Sequence, residues 1–218
     1  MIFTGEGDFL KEVPLPRALP FKKFQNGSVM TSITLSPLND RDLDAYIELY
    51  ESSFPISERK ELDYMRFGAH ASDYDVLVIA TDGHPVAGMA ITVTHGALTM
   101  LDYFAVAPDL RGQGIGSQAL PLIRKQVSHS RGGHLFLEIE TPPPLCIPRD
   151  ACENAEQRLR RKAFYRSAGL TETGVRAFIY GNDMELLAFP EDVASITFEG
   201  YEALLTATFP PGMRAERI

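Results

Sequence analysis

One stretch narrows the folds open to this chain more than any other: Leu101-Asp-Tyr-Phe-Ala-Val-Ala-Pro108, continued by Asp109-Leu-Arg-Gly-Gln-Gly-Ile-Gly-Ser-Gln-Ala-Leu120. Tyr103, Phe104 and Val106 are strand formers, and Pro108, with no N–H for a ladder, closes the run. The chain then turns through Gly112, Gly114 and Gly116 into a helix carrying Ile115, Leu120 and Ile123. Glycines there let backbone N–H groups approach a ligand that a Cβ would hold away. Those N–H groups stand at a helix N-terminus, where unsatisfied donors and the positive dipole end favour an anion. Arg111 adds a positive charge at the mouth. The stretch reads as a phosphate or pyrophosphate cradle at a strand–helix junction.

A dinucleotide fingerprint needs G-x-G-x-x-G, and a P-loop needs G-x-x-x-x-G-K-[ST]. Here the spacing is Arg111-x-x-Gly114-x-Gly116, and no lysine follows. It resembles the Arg/Gln-x-x-Gly-x-Gly/Ala motif of the GNAT superfamily of acetyl-CoA-dependent N-acetyltransferases, with Val106-x-Pro108 as the preceding strand end. Downstream, Ala163-Phe-Tyr-Arg-Ser-Ala-Gly-Leu170 looks like that family's Phe-Tyr-x-x-x-Gly-Phe segment. The resemblance covers roughly residues 31–190 and implies an α/β fold, a mixed central sheet flanked by helices. An N-terminal arm over 1–30 and a C-terminal helical extension over 191–218 lie outside it.

Composition agrees with one domain that has a sizeable core: 218 residues, 44% hydrophobic and 23% charged. A formal net charge of -8 argues against nucleic acid as a general partner, because a phosphate backbone wants a basic face. The N-terminus lacks the basic start and apolar run of a signal peptide, and no window approaches the ~20 apolar residues of a membrane span. The expected location is therefore cytoplasmic, with no membrane partner. Cys146 and Cys152 are close enough in sequence for a disulfide, but two cysteines in such a chain are expected to be reduced. The histidines show no metal-ligand spacing, so no metal is expected.

Taken in order, Pro14, Pro16 and Pro20 mark an extended arm, and Met30 is an alternative start. Ile33 to Leu35 read as a strand, and Asn39 as the cap of a helix that buries Leu43, Tyr46, Ile47 and Tyr50. A second helix is expected from Ser57 through Glu61 to just before Gly68. Strands are expected over 74–80 and 85–94, across an Asp82-Gly83 turn, before the strand that enters the cradle. After the cradle helix come a strand over 134–140, a proline loop over 141–148 and a helix over 155–166 that ends at Gly169. A hairpin, 175–180 with 184–189, precedes a C-terminal helix. Its stripe of Phe198, Tyr201, Leu204 and Leu205 either covers the core or meets a second copy of the chain.

The resemblance also implies site residues. Phe104, Ala105 and Val106 would lend backbone groups to acetyl-CoA, with a backbone N–H near Val106 left to stabilise an oxyanion. Arg111, Gly112, Gln113, Gly114, Ile115, Gly116 and Ser117 would hold the pyrophosphate. Tyr165 matches the family's tyrosine facing the cofactor sulfur, a general acid, unless it only packs beside Phe164. From strand alternation, Glu138 and Glu140 share one face with Phe136, while Leu135, Leu137 and Ile139 line the other. Glu138 is the preferred general base. Asp102, on the cofactor strand, is a rival, and Asp102 and Glu140 are candidates for holding the acceptor. Arg158, Arg160, Arg161, Lys162 and Arg166 form either a solvated helix face or a contact for the cofactor's 3′-phosphate. Arg158 stands where family members often have Asn, seven residues before the tyrosine, so no contact is carried over to it.

The expected activity is transfer of an acetyl group from acetyl-CoA to a primary amine, on a small molecule or a peptide, by direct attack on the thioester. The alternative is a non-catalytic acyl-CoA-binding or sensing protein on the same fold.

Overall fold

A computed structural model describes residues 32–131, 133–148, 150, 152–179, 181–209 and 214–218. The expected arm over 1–30, the alternative start at Met30 and the hairpin residue Tyr180 lie outside the described residues.

The described chain opens with strand β1 (Ile33–Pro37), helix α1 (Leu43–Ser53) and short helix α2 (Leu62–Phe67). A meander follows: β2 (Tyr74–Thr81), β3 (His84–His95) and β4 (Leu98–Val106). Helix α3 (Ile115–Ser130) then crosses over to β5 (His134–Glu140). Helix α4 (Ala155–Ser167), β6 (Thr171–Ile179), β7 (Asn182–Ala188), helix α5 (Phe198–Thr208) and β8 (Glu216–Arg217) complete it. These strands form one mixed sheet in the order β1-β2-β3-β4-β5-β7-β6-β8, with β4 and β5 parallel and the other neighbours antiparallel. The expected α/β class, a mixed sheet between helices, is what the chain adopts.

Each face of the sheet is covered, so the inner strands are buried on both sides and read as near-continuous apolar runs. On one face, Tyr46, Leu49 and Tyr50 of α1, Met65 of α2, and Tyr201, Leu204 and Leu205 of α5 pack on Met89, Ile91, Met100 and Phe136. The stripe on α5 is therefore buried in the chain's own core. On the other face, Leu120, Ile123 and Val127 of α3 meet Leu101, Leu135, Leu137 and Ile139, with Phe164 and Tyr165 of α4 packed against them. Asn39 caps the entry to α1 as expected, its side chain accepting from the Asp42 N–H at 3.2 Å.

The second helix differs from the sequence reading: it begins at Leu62 rather than Ser57. Two tyrosine hydroxyls hold the preceding residues in an open loop. The Tyr103 hydroxyl donates to the Glu58 carbonyl at 2.6 Å, and the Tyr50 hydroxyl accepts from the Lys60 N–H at 2.9 Å. These contacts satisfy the backbone of the loop and override its helical composition.

Two irregularities in the sheet shape the site. Across the β3–β4 ladder, Ile91 pairs with Tyr103 and Thr92 with Leu101, which leaves Asp102 as the extra residue of a bulge. A bulge re-aims the side chain it carries. Between β4 and β5 the ladder runs only from Leu98–His134 to Met100–Phe136, although β4 continues to Val106 and β5 to Glu140. Beyond that point β5 keeps its pairing with β7, and β4 with β3, so a gap opens between them.

Candidate active site

The cradle lies on the α3 side of this gap. A cleft of about 530 Å³ is lined by Phe104, Ala105 and Val106 from the end of β4, together with Arg111, Gly112 and Gly114 from the turn. Ile115, Gly116 and Ser117 of α3, and Arg161, Phe164 and Tyr165 of α4, close it. Gly112 and Gly114 sit at φ +77° and +81°, where side chains are strained. Gly114 caps α3 without any side chain, and the first turn holds no acid. Helical bonding here begins with the Gln118 N–H donating to the Gly114 carbonyl at 3.1 Å, so the N–H groups of Ile115, Gly116 and Ser117 precede it. An anion such as the pyrophosphate of a nucleotide fits this arrangement. Gly116 has a different reason to be glycine: a Cβ there would lie 3.0 Å from Cζ of Phe164.

One expected cradle residue is not part of the cleft. Gln113 is exposed and turns away, its amide donating to the Asp109 carbonyl at 3.3 Å. Arg111 lines the cleft but is tied to the end of β4, where its Nε donates to the Val106 carbonyl at 3.0 Å. Backbone directions alternate along a strand, and the Ala107 N–H donates across to the Ala87 carbonyl of β3 at 2.9 Å. The Val106 N–H therefore points the other way, into the gap.

On the opposite face, Asp102 and Glu138 flank the gap just beyond the last β4–β5 pair. The bulge turns Asp102 to an ion pair with Lys60 Nζ. Lys60 is a site residue the sequence reading missed. Its ammonium stands 3.5 Å from the ring centre of Phe209, with the Tyr103 and Tyr74 rings at 5.5 and 5.8 Å. Glu138 accepts a hydrogen bond from the Tyr201 hydroxyl of α5. Burial pushes Glu138 above the usual carboxylate range, the Tyr201 hydrogen bond opposes that, and the Asp102 charge adds to it. Burial likewise pushes Asp102 up and Lys60 down, against the attraction between them. No sequence signal marks Lys60 or Tyr201, because they meet their carboxylates across 42 and 63 residues.

Tyr165 lies in the cleft, its ring 5.1 Å from Phe164, which in turn stacks near Phe104. Burial pushes its hydroxyl up to about 12, with Arg161 pulling slightly the other way. Among the described residues its hydroxyl has no hydrogen-bond partner.

The basic residues of α4 pair with acids. Arg160 and Arg166 pair with exposed or half-buried acids, and Lys162 bridges Glu185 and Glu172. Arg161 reaches the cleft while pairing with Glu140 at 2.9 Å. Arg158 is only 2% exposed, clamped to Asp150 at 2.8 Å and to Glu140 at 3.2 Å. Glu140 is thus held by two arginines at the strand end. Burial acts to raise Asp150, but hydrogen bonds from Arg158, Asp183 N–H and Cys152 N–H outweigh it and hold the carboxyl at about 2. Removing one partner of such a buried pair strands the other charge. Arg158→Ala should lower stability by roughly 3–5 kcal/mol, read as a lower urea midpoint at unchanged slope; a loss below about 1 kcal/mol would mean the pair is idle.

The same loop corrects the cysteine reading. Cys146 and Cys152 are joined in a disulfide with their Cα atoms 6.3 Å apart. The loop is gathered by Asp183, which accepts from the Ile147 N–H at 2.9 Å, and by Asp150, which accepts from the Cys152 N–H at 2.6 Å. Composition cannot register that approach. Among the described residues, no group of three or more His, Cys, Asp or Glu is placed to hold a metal, and no helix is long and apolar enough to cross a membrane.

With this geometry in hand, residues 43–143 match the acetyltransferase (GNAT) family. That segment is similar to a GNAT acetyltransferase domain. It takes in the cradle, the gap, Lys60, Asp102 and Glu138, and ends before α4 and α5, which bring Tyr165 and Tyr201. No curated protein matches the chain. Solved structures agree on the GNAT fold. A GNAT-family protein from Bacteroides thetaiotaomicron is 22% identical over 80% of this chain and 96% of its own, with a TM-score of 0.57. A GNAT-family protein from Desulfovibrio desulfuricans is 23% identical over 74% and 99%, with a TM-score of 0.52. The spermidine N-acetyltransferase of Vibrio cholerae, solved with CoA and spermine, is 14% identical over 74% and 98%, with a TM-score of 0.54.

Proposed function

We propose that this chain is an acetyl-CoA-dependent N-acetyltransferase acting on a primary amine by direct attack on the thioester. The observation that carries the reading is the β4–β5 gap, with an anion cradle at its α3 side and two carboxylates at its other side. Acetyl-CoA, when bound, supplies the acetyl group as a thioester. Ile115, Gly116 and Ser117 hold its pyrophosphate by backbone N–H groups, helped by Arg111. The Val106 N–H stabilises negative charge growing on the carbonyl oxygen.

Glu138 is the base. An alkylammonium has a pKa near ~10.4, so the acceptor must lose a proton before it can attack. A carboxylate raised by burial is a better match to that task than an ordinary one. Tyr165 stays protonated at neutral pH and donates to the departing sulfur. Full transfer to a thiolate, whose acid has a pKa near ~8.5, is uphill unless burial raises the thiol too, so its first contribution is a hydrogen bond. Tyr165→Phe should keep acetyl-CoA affinity and lower kcat by roughly 10²-fold; equal turnover under chemistry-limited conditions would leave Tyr165 a packing residue.

Lys60 already neutralises Asp102, so Glu138 is the carboxylate left to meet an ammonium at the gap. That suits an acceptor presenting one amine there, on a small molecule or peptide. The cytoplasm is the location that goes with this reading, and the Cys146–Cys152 bond is the observation against it. A second reading, a protein that binds acyl-CoA without turnover, draws on Lys60, which fills the place an acceptor amine would take. A library of primary amines assayed for acetyl-CoA-dependent thiol release decides between them. Turnover of at least one class supports the enzyme; acetyl-CoA binding with no release for any amine selects the second reading.

A further inference from the structure

We propose that Lys60 is itself an acetyl acceptor, so that the chain acetylates its own active-site lysine. The inference rests on the acetyl-CoA reading above and goes beyond it. Lys60 is a primary amine held at the gap by a built site: the Asp102 carboxylate, the Phe209 ring 3.5 Å below and the Tyr103 ring at 5.5 Å. Its backbone is pinned by the Tyr50 and Tyr103 hydroxyls at 2.9 and 3.1 Å, so the side chain is not a wandering surface lysine. The side chain is 19% exposed. Asp102 is the bulged residue of β4, and Phe104, two residues on, already lines the cradle cleft. The proposal brings a thioester entering from the cleft at Phe104 to the Lys60 amine through the gap between β4 and β5.

In the transfer, the Lys60 nitrogen bonds to the carbonyl carbon of the thioester and the carbon–sulfur bond breaks. The ammonium gives up two protons, to Asp102 and Glu138. The leaving sulfur, stabilised by a hydrogen bond from Tyr165, takes up one of these protons. The products are N-acetyl-lysine and free thiol, with one proton released to solvent. Burial, which favours the neutral amine, assists the first deprotonation. Acetylation also removes the cation that neutralises Asp102.

Incubating the full chain with acetyl-CoA, followed by intact mass and peptide mapping, tests this. One acetyl group per chain should appear on Lys60, at a rate independent of protein concentration because donor and acceptor share one chain. Lys60→Arg should abolish it, and Lys60→Met serves if the arginine variant does not fold. Calorimetry of acetyl-CoA binding runs alongside. Binding with Lys60 unmodified, acetyl groups confined to the exposed Lys125, or a rate that scales with protein concentration would each overturn the inference and leave the acetyl-CoA reading standing. Absence of binding would remove both.

Discussion

Replacing Glu138 by glutamine should lower kcat by roughly 10²- to 10⁴-fold, the range of a lost general base. The pH dependence makes the prediction specific. A base works deprotonated, so the rate falls as pH drops through its pKa. Burial raises Glu138, so that acidic limb should lie above the ordinary glutamate value near ~4.3. Glu138→Gln keeps the shape, removes the titrating group and should remove the limb. Tyr201→Phe deletes a hydrogen bond to the charged form, so it should shift the limb to higher pH without removing it. Glu140→Gln, at a carboxylate already gripped by Arg158 and Arg161, should leave the limb in place. The decisive contrast is with Asp102→Asn. A limb that survives in Glu138→Gln and vanishes in Asp102→Asn would move the base to the bulge of β4.

The other large effect is expected at Gly114. Its φ of +81° places any side chain in the left-handed region, and a β-branched one suffers most. A Cβ there has only the flexible Gln118 amide nearby, at 3.5 Å, so the cost is backbone strain rather than a clash. Relieving that strain means turning the peptide that starts α3, which disperses the N–H groups aimed at the anion. Gly114→Val should therefore weaken acetyl-CoA by at least ~100-fold, about 2.8 kcal/mol, while unfolding stays cooperative. Gly96→Val is the control. Its φ of +59° carries comparable strain, nothing lies within 4 Å, and it sits in the turn between β3 and β4. Calorimetry should find its affinity unchanged. Wild-type affinity in Gly114→Val would remove the cradle from the account of binding.

How much was legible beforehand differs between the two sides of the gap. The cradle is local: strand, glycines and helix start follow one another between Leu101 and Leu120, so their residue types report their geometry directly. The carboxylate side is not local. Glu138 was found because strand alternation puts it on the face opposite Leu137, but its partner Tyr201 reads as one more apolar position of a helix stripe. Lys60 reads as part of a helix, in Glu58-Arg-Lys-Glu61, until the Tyr50 and Tyr103 hydroxyls open that segment. The arginines of α4 read as one basic face, yet Arg158 is the centre of a buried ion pair set by Asp150 from the proline loop.

The sequence by itself determined the α/β class, the glycine-rich strand–helix junction, Tyr165 beside Phe164, and the side of the sheet on which Glu138 stands. Each follows from residues that are neighbours in the chain, where periodicity and glycine placement act directly on the backbone. Only the tertiary structure decided the bulge that turns Asp102 to Lys60, the point where β4 and β5 part, the disulfide, and the tyrosine that holds Glu138. Those depend on which distant segments pack together, and a contact across some sixty residues leaves no mark on the spacing of either partner.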